Sequence, residues 1–302
     1  MESTKEQANF VGVIGLGSMG FCLAHRLLRK GRQVLGFDQV VSTMEKLEAS
    51  GGTAAASVKE VAAKTNLIIL ALPTVDSFRS VIAALSGVMK DEAWVLDINT
   101  LLPSEKSVAR NSLSKSGWRM LDCTISGTPE MVEQDIHSFY FSGEARHDAK
   151  VCGLIEQLAL KKFDMGDFGN AATIKLIINH MVISHNVIAA EAMSLAIHAG
   201  MDAARVYETV SASAGSSKMF EVRGRMMVSE DYPEAKMYEL IVDKDAELIA
   251  DLARGLRHPV PMLAAAVQQH VLAMAQGWGS KDPASLCSMM ERQAGVVRPS
   301  KG

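Results

Sequence analysis

The run Phe10-Val-Gly-Val-Ile is followed at once by Gly15-Leu16-Gly17-Ser18-Met19-Gly20 and then by a helical pattern. An apolar strand, three glycines in the spacing GxGxxG and a helix start leave few folds open. The first glycine makes a tight turn. The second lets the backbone approach a pyrophosphate, and the helix N-terminus offers unpaired N–H groups and a positive dipole end to that anion. A glycine turn without a ligand is the competing reading, and an acid further along the chain speaks against it. Asp38 ends the next strand eighteen residues after Gly20. A carboxylate there binds both ribose hydroxyls of NAD and repels the 2′-phosphate of NADP. Gln39 and Val40 follow it, and neither is the arginine an NADP site would favour. NAD is therefore the expected cofactor and NADP the less favoured one.

The first half of the chain repeats a strand–helix rhythm. Strand-like runs at Phe10–Ile14, Gln33–Phe37, Leu67–Leu72, Trp94–Leu96 and Arg119–Cys123 alternate with helical patterns at 18–30, 42–50, 57–64, 75–85 and 104–116. Further strands are expected at 139–142 and 161–165, with a helix over 145–160 between them. This order predicts a doubly wound, mainly parallel sheet covered by helices on both faces, a Rossmann domain over 1–168. Past about Gly166 the strand runs stop. Helical stretches at 171–199, 203–212, 237–256, 261–275 and 283–293 predict an all-helical domain over 169–302, joined through the first long helix. Leu72-Pro73-Thr74 and Asn99-Thr100 sit just past strand ends, on the edge where such sheets bind ligands; by themselves they read as ordinary loop residues.

Lysine and arginine total 31 against 34 aspartates and glutamates, a net charge of −3, so nothing draws the whole molecule to nucleic acid or an anionic membrane. The four cysteines, Cys22, Cys123, Cys152 and Cys287, form no CxxC pair, which argues against a disulfide framework or a zinc site and for a reducing cytoplasm. The polar N-terminus is unlike a signal peptide. No segment is expected to span a membrane: the most apolar one, 176–190, is broken by Asn179, His180, Ser184, His185 and Asn186 and reads as a helix buried on most sides.

Within that apolar helix stand Lys175 and Asn179, four apart and so on one face. A desolvated lysine loses its proton more readily and can serve as general acid and base, with the asparagine orienting it or a substrate oxygen. The same spacing also suits a lysine that snorkels to solvent beside a satisfied asparagine. His180 and His185, five apart and without a carboxylate cluster, do not make a metal site.

These residues resemble the β-hydroxyacid dehydrogenase family. Val-Ile-Gly-Leu-Gly-Ser-Met-Gly at 13–20 is close to its N-terminal signature, and Asp122-Cys-Thr-Ile-Ser126-Gly127-Thr128 is similar to its substrate motif DAPVSGG. Gly169-Asn-Ala-Ala-Thr-Ile-Lys175-Leu-Ile-Ile-Asn179 resembles its catalytic GxGxxxKxxxN, and Lys244-Asp245 lies where the family has a KD pair. The resemblance runs from about Phe10 to about Gln293. It implies a cleft between the two domains, with Lys175 as general acid/base and Asn179 holding the substrate. Ser126 and Gly127, with Thr128 in the same motif, would bind the substrate carboxylate. Lys244 would lie near the nicotinamide, and Thr100 would line the cofactor with Leu72, Pro73 and Thr74. A homodimer or homotetramer is implied as well.

The implied activity is hydride transfer between the nicotinamide and a short 3-hydroxy carboxylate. An imine reductase on the same fold would need another proton donor at Lys175, and a non-catalytic nucleotide-binding module would have no need of Lys175 and Asn179. Three departures stand out: Thr128 replaces a glycine, Ala171 replaces another, and Lys218 offers either a second cation for a larger acid or a solvated side chain.

Overall fold

The structure is a computed structural model that describes residues 10–298 apart from residue 236; of residues 145 and 146 it describes the backbone. The polar N-terminal stretch 1–9 lies outside the described residues. The chain divides into a unit through Lys175 and another from Leu176 onward.

The first unit runs β1 (Phe10–Ile14), α1 (Ser18–Arg29), β2 (Gln33–Phe37), α2 (Val41–Ala49), β3 (Thr53–Ala54), α3 (Val58–Lys64), β4 (Leu67–Leu70), α4 (Val75–Ser86), β5 (Ala93–Asp97), α5 (Pro103–Ser114), β6 (Trp118–Ser126), α6 (Pro129–Glu133), β7 (Ser138–Ser142), α7 (Ala149–Leu158) and β8 (Lys161–Asp164). Its sheet has eight strands in the order β3-β2-β1-β4-β5-β6-β7-β8. All neighbours are parallel except β6 and β7, which pair antiparallel with Asp122 opposite Ser142 and Ser126 opposite Ser138. The strand order reverses between β1 and β4, so the crevice for a ligand opens beyond the carboxyl ends of those two strands.

Strand residues alternate between two cores. Val11, Val13, Ile69, Leu96 and Leu121 pack with Leu23 and Leu27 of α1 and Leu154 and Leu158 of α7. Ile14, Ile68, Leu70, Val95 and Met120 pack on the other face with Val61, Phe78, Leu85 and Leu113.

The short helix α6 and the two-residue β3 were not expected from the sequence. Pro129 reads as a stiff loop exit. Its fixed φ suits the first helical position, and Thr128 caps the helix by accepting from the Met131 N–H at 3.4 Å. Strand β6 runs three residues past the expected end at Cys123, which puts Ser126 on the sheet itself.

Helix α8 (Asn170–His198) leaves the first unit, and the second continues with α9 (Ala203–Ser211), α10 (Lys218–Ser229), α11 (Met237–Leu240), a π-helical segment (Ile241–Asp245), α12 (Ala246–Leu256), α13 (Pro261–Ala275), a 3₁₀ turn (Pro283–Ser285) and α14 (Leu286–Gln293). Two expectations about the helices after α8 are corrected here. Helix α10 was missed because Gly224 weakens its pattern; that glycine is required, since a Cβ there would meet the Tyr207 ring at 2.6 Å. The single helix expected over 237–256 is broken by the π segment, whose wider turn inserts an extra residue.

Helix α8 is not buried on most sides. Leu176, Asn179, Ile183, Asn186 and Met193 are buried, whereas Ile177, Met181, Ile188 and Leu195 are 47–69% exposed. Its apolar residues occupy two faces, and this chain covers one. By length and composition α8 is also apolar enough to cross a membrane, contrary to the expectation from its polar interruptions, though 44% of its most apolar stretch is buried inside the protein. In the second unit, Arg223 of α10 ties that buried face down, donating to Asp282 at 2.7 Å and to Asn186 at 2.9 Å.

Candidate active site

The turn after β1 is held from three sides. The Gly15 N–H donates to Phe37 O, and the Ala71 N–H donates to Ile14 O, both at 2.9 Å. Gly15 has φ +89°, and a Cβ on it would lie 2.1 Å from the Ala71 carbonyl oxygen. A Cβ on Gly20 would lie 1.9 Å from the Gly15 oxygen. These two glycines let strand, turn and helix touch. Gly17 differs: nothing lies within 4 Å of its would-be Cβ.

Gly17 is also the N-cap of α1, no side chain caps that helix, and its first turn carries no acid. Donors aimed into open space beside a residue without a side chain suit an anion. A dinucleotide fits these residues: the N–H groups that follow Gly17, around Ser18 and Met19, would hold its pyrophosphate.

Asp38 stands beside this turn. Its Oδ2 accepts from the Leu16 N–H at 2.6 Å and its Oδ1 from the Val40 N–H at 2.8 Å. Each oxygen keeps a lone pair, so the carboxylate is fixed in place while still able to accept from a ribose hydroxyl.

Across the crevice, the Leu72 N–H donates to Asn99 Oδ1 at 2.5 Å. Thr74 plays a structural part: it caps α4 reciprocally with Ser77, accepting from the Ser77 N–H at 3.1 Å while Ser77 Oγ accepts the Thr74 N–H at 3.2 Å. Thr100 follows Asn99 at the end of β5, half-buried. Asn99 is the residue here that sequence reasoning undervalued, as an ordinary loop position. The available signal was a charged residue, Asp97, closing an otherwise apolar buried strand; the Asn99 side chain donates to its carboxylate.

Ser126 ends β6, and Gly127 follows at φ +152°, where a Cβ would meet that of His137 at 2.8 Å. The Thr128 hydroxyl is occupied by capping α6 and by a bond to Glu130 that holds that carboxyl below its usual range. It therefore shapes the loop more than it offers a free donor. Lys175 lies at the end of the first unit, half-buried on α8. The start of that helix is fastened to the sheet: Thr124 Oγ1 donates to the Ala171 oxygen at 3.1 Å, two residues before Ser126.

In the second unit, Asn179 is buried and donates from Nδ2 to Asp245 Oδ2 at 2.9 Å. Asp245 closes the π segment that also carries Lys244, half-buried. Lys218 lies in the exposed first turn of α10, paired with Glu221 at 3.0 Å, which matches the solvated alternative.

Residues 10–166 match the family described as the NAD binding domain of 6-phosphogluconate dehydrogenase, and residues 169–290 the one described as NAD-binding of NADP-dependent 3-hydroxyisobutyrate dehydrogenase. The chain belongs to the β-hydroxyacid dehydrogenases. An L-threonate dehydrogenase of Cupriavidus necator is 28% identical, over 96% of this chain and 98% of the relative. A crystal structure of 3-hydroxyisobutyrate dehydrogenase from Salmonella typhimurium superposes with a TM-score of 0.80 at 29% identity, covering 93% of this chain and 99% of that one. An imine reductase from Pseudomonas sp. shares the fold at 20% identity, with a TM-score of 0.63 over 93% of this chain and 99% of that one. This hydroxyacid dehydrogenase is thus an NAD(P)-binding oxidoreductase with a Rossmann domain and a helical C-terminal domain. The ranking of NADP as the less favoured cofactor draws no support from the match to an NADP-dependent family.

Proposed function

We propose that this dehydrogenase interconverts a short 3-hydroxy carboxylate and its aldehyde or ketone, with Lys175 as the proton carrier. One observation carries the reading. The helix that bears Lys175 is bonded at its start to β6, the strand that ends in Ser126. The amine and the carboxylate loop therefore belong to one fixed piece of the first unit.

The dinucleotide, when bound, supplies the hydride chemistry. Ser126 and the Gly127 backbone bind the substrate carboxylate. In oxidation, neutral Lys175 accepts the hydroxyl proton; in reduction, its ammonium donates to the forming alkoxide. Asn179, held by Asp245, presents its carboxamide to the substrate, and Lys244 serves the nicotinamide side. Leu72, Pro73 and Thr100 line the cofactor, and Thr128 narrows the end of the pocket that a glycine would leave open.

NAD is our choice over NADP because Asp38, a carboxylate fixed by the Leu16 and Val40 N–H groups, stands beside the glycine turn, where it would repel a 2′-phosphate. A screen of C3 to C6 hydroxy acids, including L-threonate and 3-hydroxyisobutyrate, with NAD and NADP side by side tests both points. No turnover with any of them would refute the substrate class, and a higher kcat/KM with NADP would refute the cofactor choice.

We infer a homodimer or a tetramer built from dimers, because Ile177, Met181, Ile188 and Leu195 recur at helical spacing as one exposed apolar stripe. Light scattering of Met181→Glu should show a smaller species than the parent; an unchanged mass would refute that contact. A reducing cytoplasm is the setting that suits the scattered cysteines, which form no CxxC pair.

A further inference from the structure

Lys106 lies on α5 within the unremarkable sequence Ser-Glu-Lys-Ser, yet its side chain is wholly buried. Its ammonium donates to Asp122 Oδ1 at 2.7 Å, to the Cys123 oxygen at 3.1 Å and to the Asp97 oxygen at 3.2 Å. Asp97 Oδ2 stands 3.1 Å from it as a second counter-charge. Both aspartates are themselves fully buried. Burial alone would lower the lysine's pKa, but the two carboxylates hold it well above the ordinary value. Burial raises that of Asp97.

Two arms leave this knot. On one side, Asp97 Oδ1 accepts from Asn99 Nδ2, and Asn99 Oδ1 accepts from the Leu72 N–H on the cofactor edge. On the other, Asp122 Oδ2 accepts from the Ala172 N–H at 2.9 Å and from Ser142 Oγ at 3.0 Å. Ser142 Oγ in turn accepts from the Ala171 N–H at 3.0 Å. Ala171 and Ala172 form the first turn of α8, one turn ahead of Lys175. All of these groups lie in the first unit, and they connect the cofactor loop to the catalytic helix without a gap.

We infer that Lys106 is a positioning residue for the reaction: through Asp97 and Asp122 it fixes the distance between the cofactor loop at Leu72 and the first turn of the helix that carries Lys175. The inference rests on Lys175 being the proton carrier. A buried ammonium serves here better than an apolar side chain because one centre with three protons grips two strands at once, and buried charges fix geometry where dispersion contacts slide. A small misplacement of a reacting group costs rate more than binding.

The experiment compares the parent with Lys106→Met, Ser142→Ala and Lys175→Ala, using the hydroxy acid that the parent turns over fastest. The readouts are kcat, KM for acid and cofactor, and the primary deuterium isotope effect. Lys106→Met should lose about 30-fold or more in kcat, with the KM for cofactor within about twofold and an increased isotope effect. Ser142→Ala removes one oxygen and folds where the lysine variant fails to; it should lose roughly 3- to 10-fold in kcat with the same pattern.

A kcat within about twofold of the parent in folded Ser142→Ala, or in folded Lys106→Met, overturns the inference. So does a loss expressed equally in the KM for cofactor. If Lys175→Ala is dead while either variant is unchanged, Lys106 alone loses its role. If Lys175→Ala keeps its turnover, the proton-carrier reading falls and this inference falls with it.

Discussion

The glycine turn after β1 is made of backbone. Its form follows from Gly15 and Gly20, where side chains would collide with carbonyl oxygens at 2.1 and 1.9 Å, and from a helix end left uncapped. The knot behind β5 and β6 is centred on side chains, and with its two arms it ties together groups up to 100 positions apart, from the Leu72 N–H to the Ala172 N–H. Both prepare the same crevice. The turn prepares it by exclusion, leaving room for a ligand, whereas the knot prepares it by traction, pulling two loops and a helix to a common centre. Substitutions at the turn should therefore act on cofactor binding, and those along the knot and its helix on rate.

The sharpest break in that contrast would come from Lys175 itself. Lys175→Ala should lower kcat by about 10²- to 10⁴-fold, with dinucleotide affinity by fluorescence titration unchanged. Equal losses in both would mean that the helix belongs to the binding machinery. Next in size are the glycines. Gly20→Val should destabilise the fold by roughly 1–3 kcal/mol in urea melts, through the clash with the Gly15 oxygen. Gly17→Val should leave the urea midpoint unchanged while raising the KM for cofactor about tenfold or more, because its side chain enters open space that the ligand needs. Reversal of that pair would show that Gly17, not Gly20, sets the packing.

A milder effect is expected at Asp38. Asp38→Ala should shift the kcat/KM ratio of NAD to NADP toward NADP by roughly tenfold, since one repelling carboxylate is removed. The pH dependence of stability follows in size. His137, beneath Gly127, has its pKa lowered from 6.5 chiefly by burial, and His270 in the second unit is lowered for the same reason. The unfolded chain then binds protons that the native form refuses. Stability is full above about pH 6.5 and is lost as the pH falls below it. Melting temperatures from pH 8 to pH 5 should fall below that point, and His137→Met should flatten part of the slope. The smallest effect belongs to Lys218→Ala, which breaks only an exposed ion pair and should change kcat/KM by less than about twofold.

The contrast also explains what could be read from the residues alone. Glycine spacing, a helix start and Asp38 act within a few residues of one another or at a fixed interval, so the dinucleotide turn is legible in a linear string. Lys175 and Asn179 are legible as a pair one helical turn apart, although the choice between acid–base chemistry and a snorkelling side chain required the wider motif. Lys106 is not legible: in sequence it matches any solvated lysine on a helix, and only the fold brings Asp97 and Asp122 to it. The π segment is hidden for a similar reason, since its extra residue serves an aspartate that meets an asparagine 66 positions earlier. Helix α8 misleads in the opposite direction, because its hydrophobicity says that a face is covered and not which molecule covers it.

The antiparallel pairing of β6 with β7 has a further consequence. It sets Ser142 opposite Asp122 at the base of the hairpin and leaves Gly127 to His137 as its tip. In the proposed function the tip is where the substrate carboxylate would bind, while the base holds the helix that carries Lys175. Residues can be inserted, deleted or exchanged at such a tip without shifting the base, so the enzyme's choice of acid is free to drift over generations while its chemistry stays anchored.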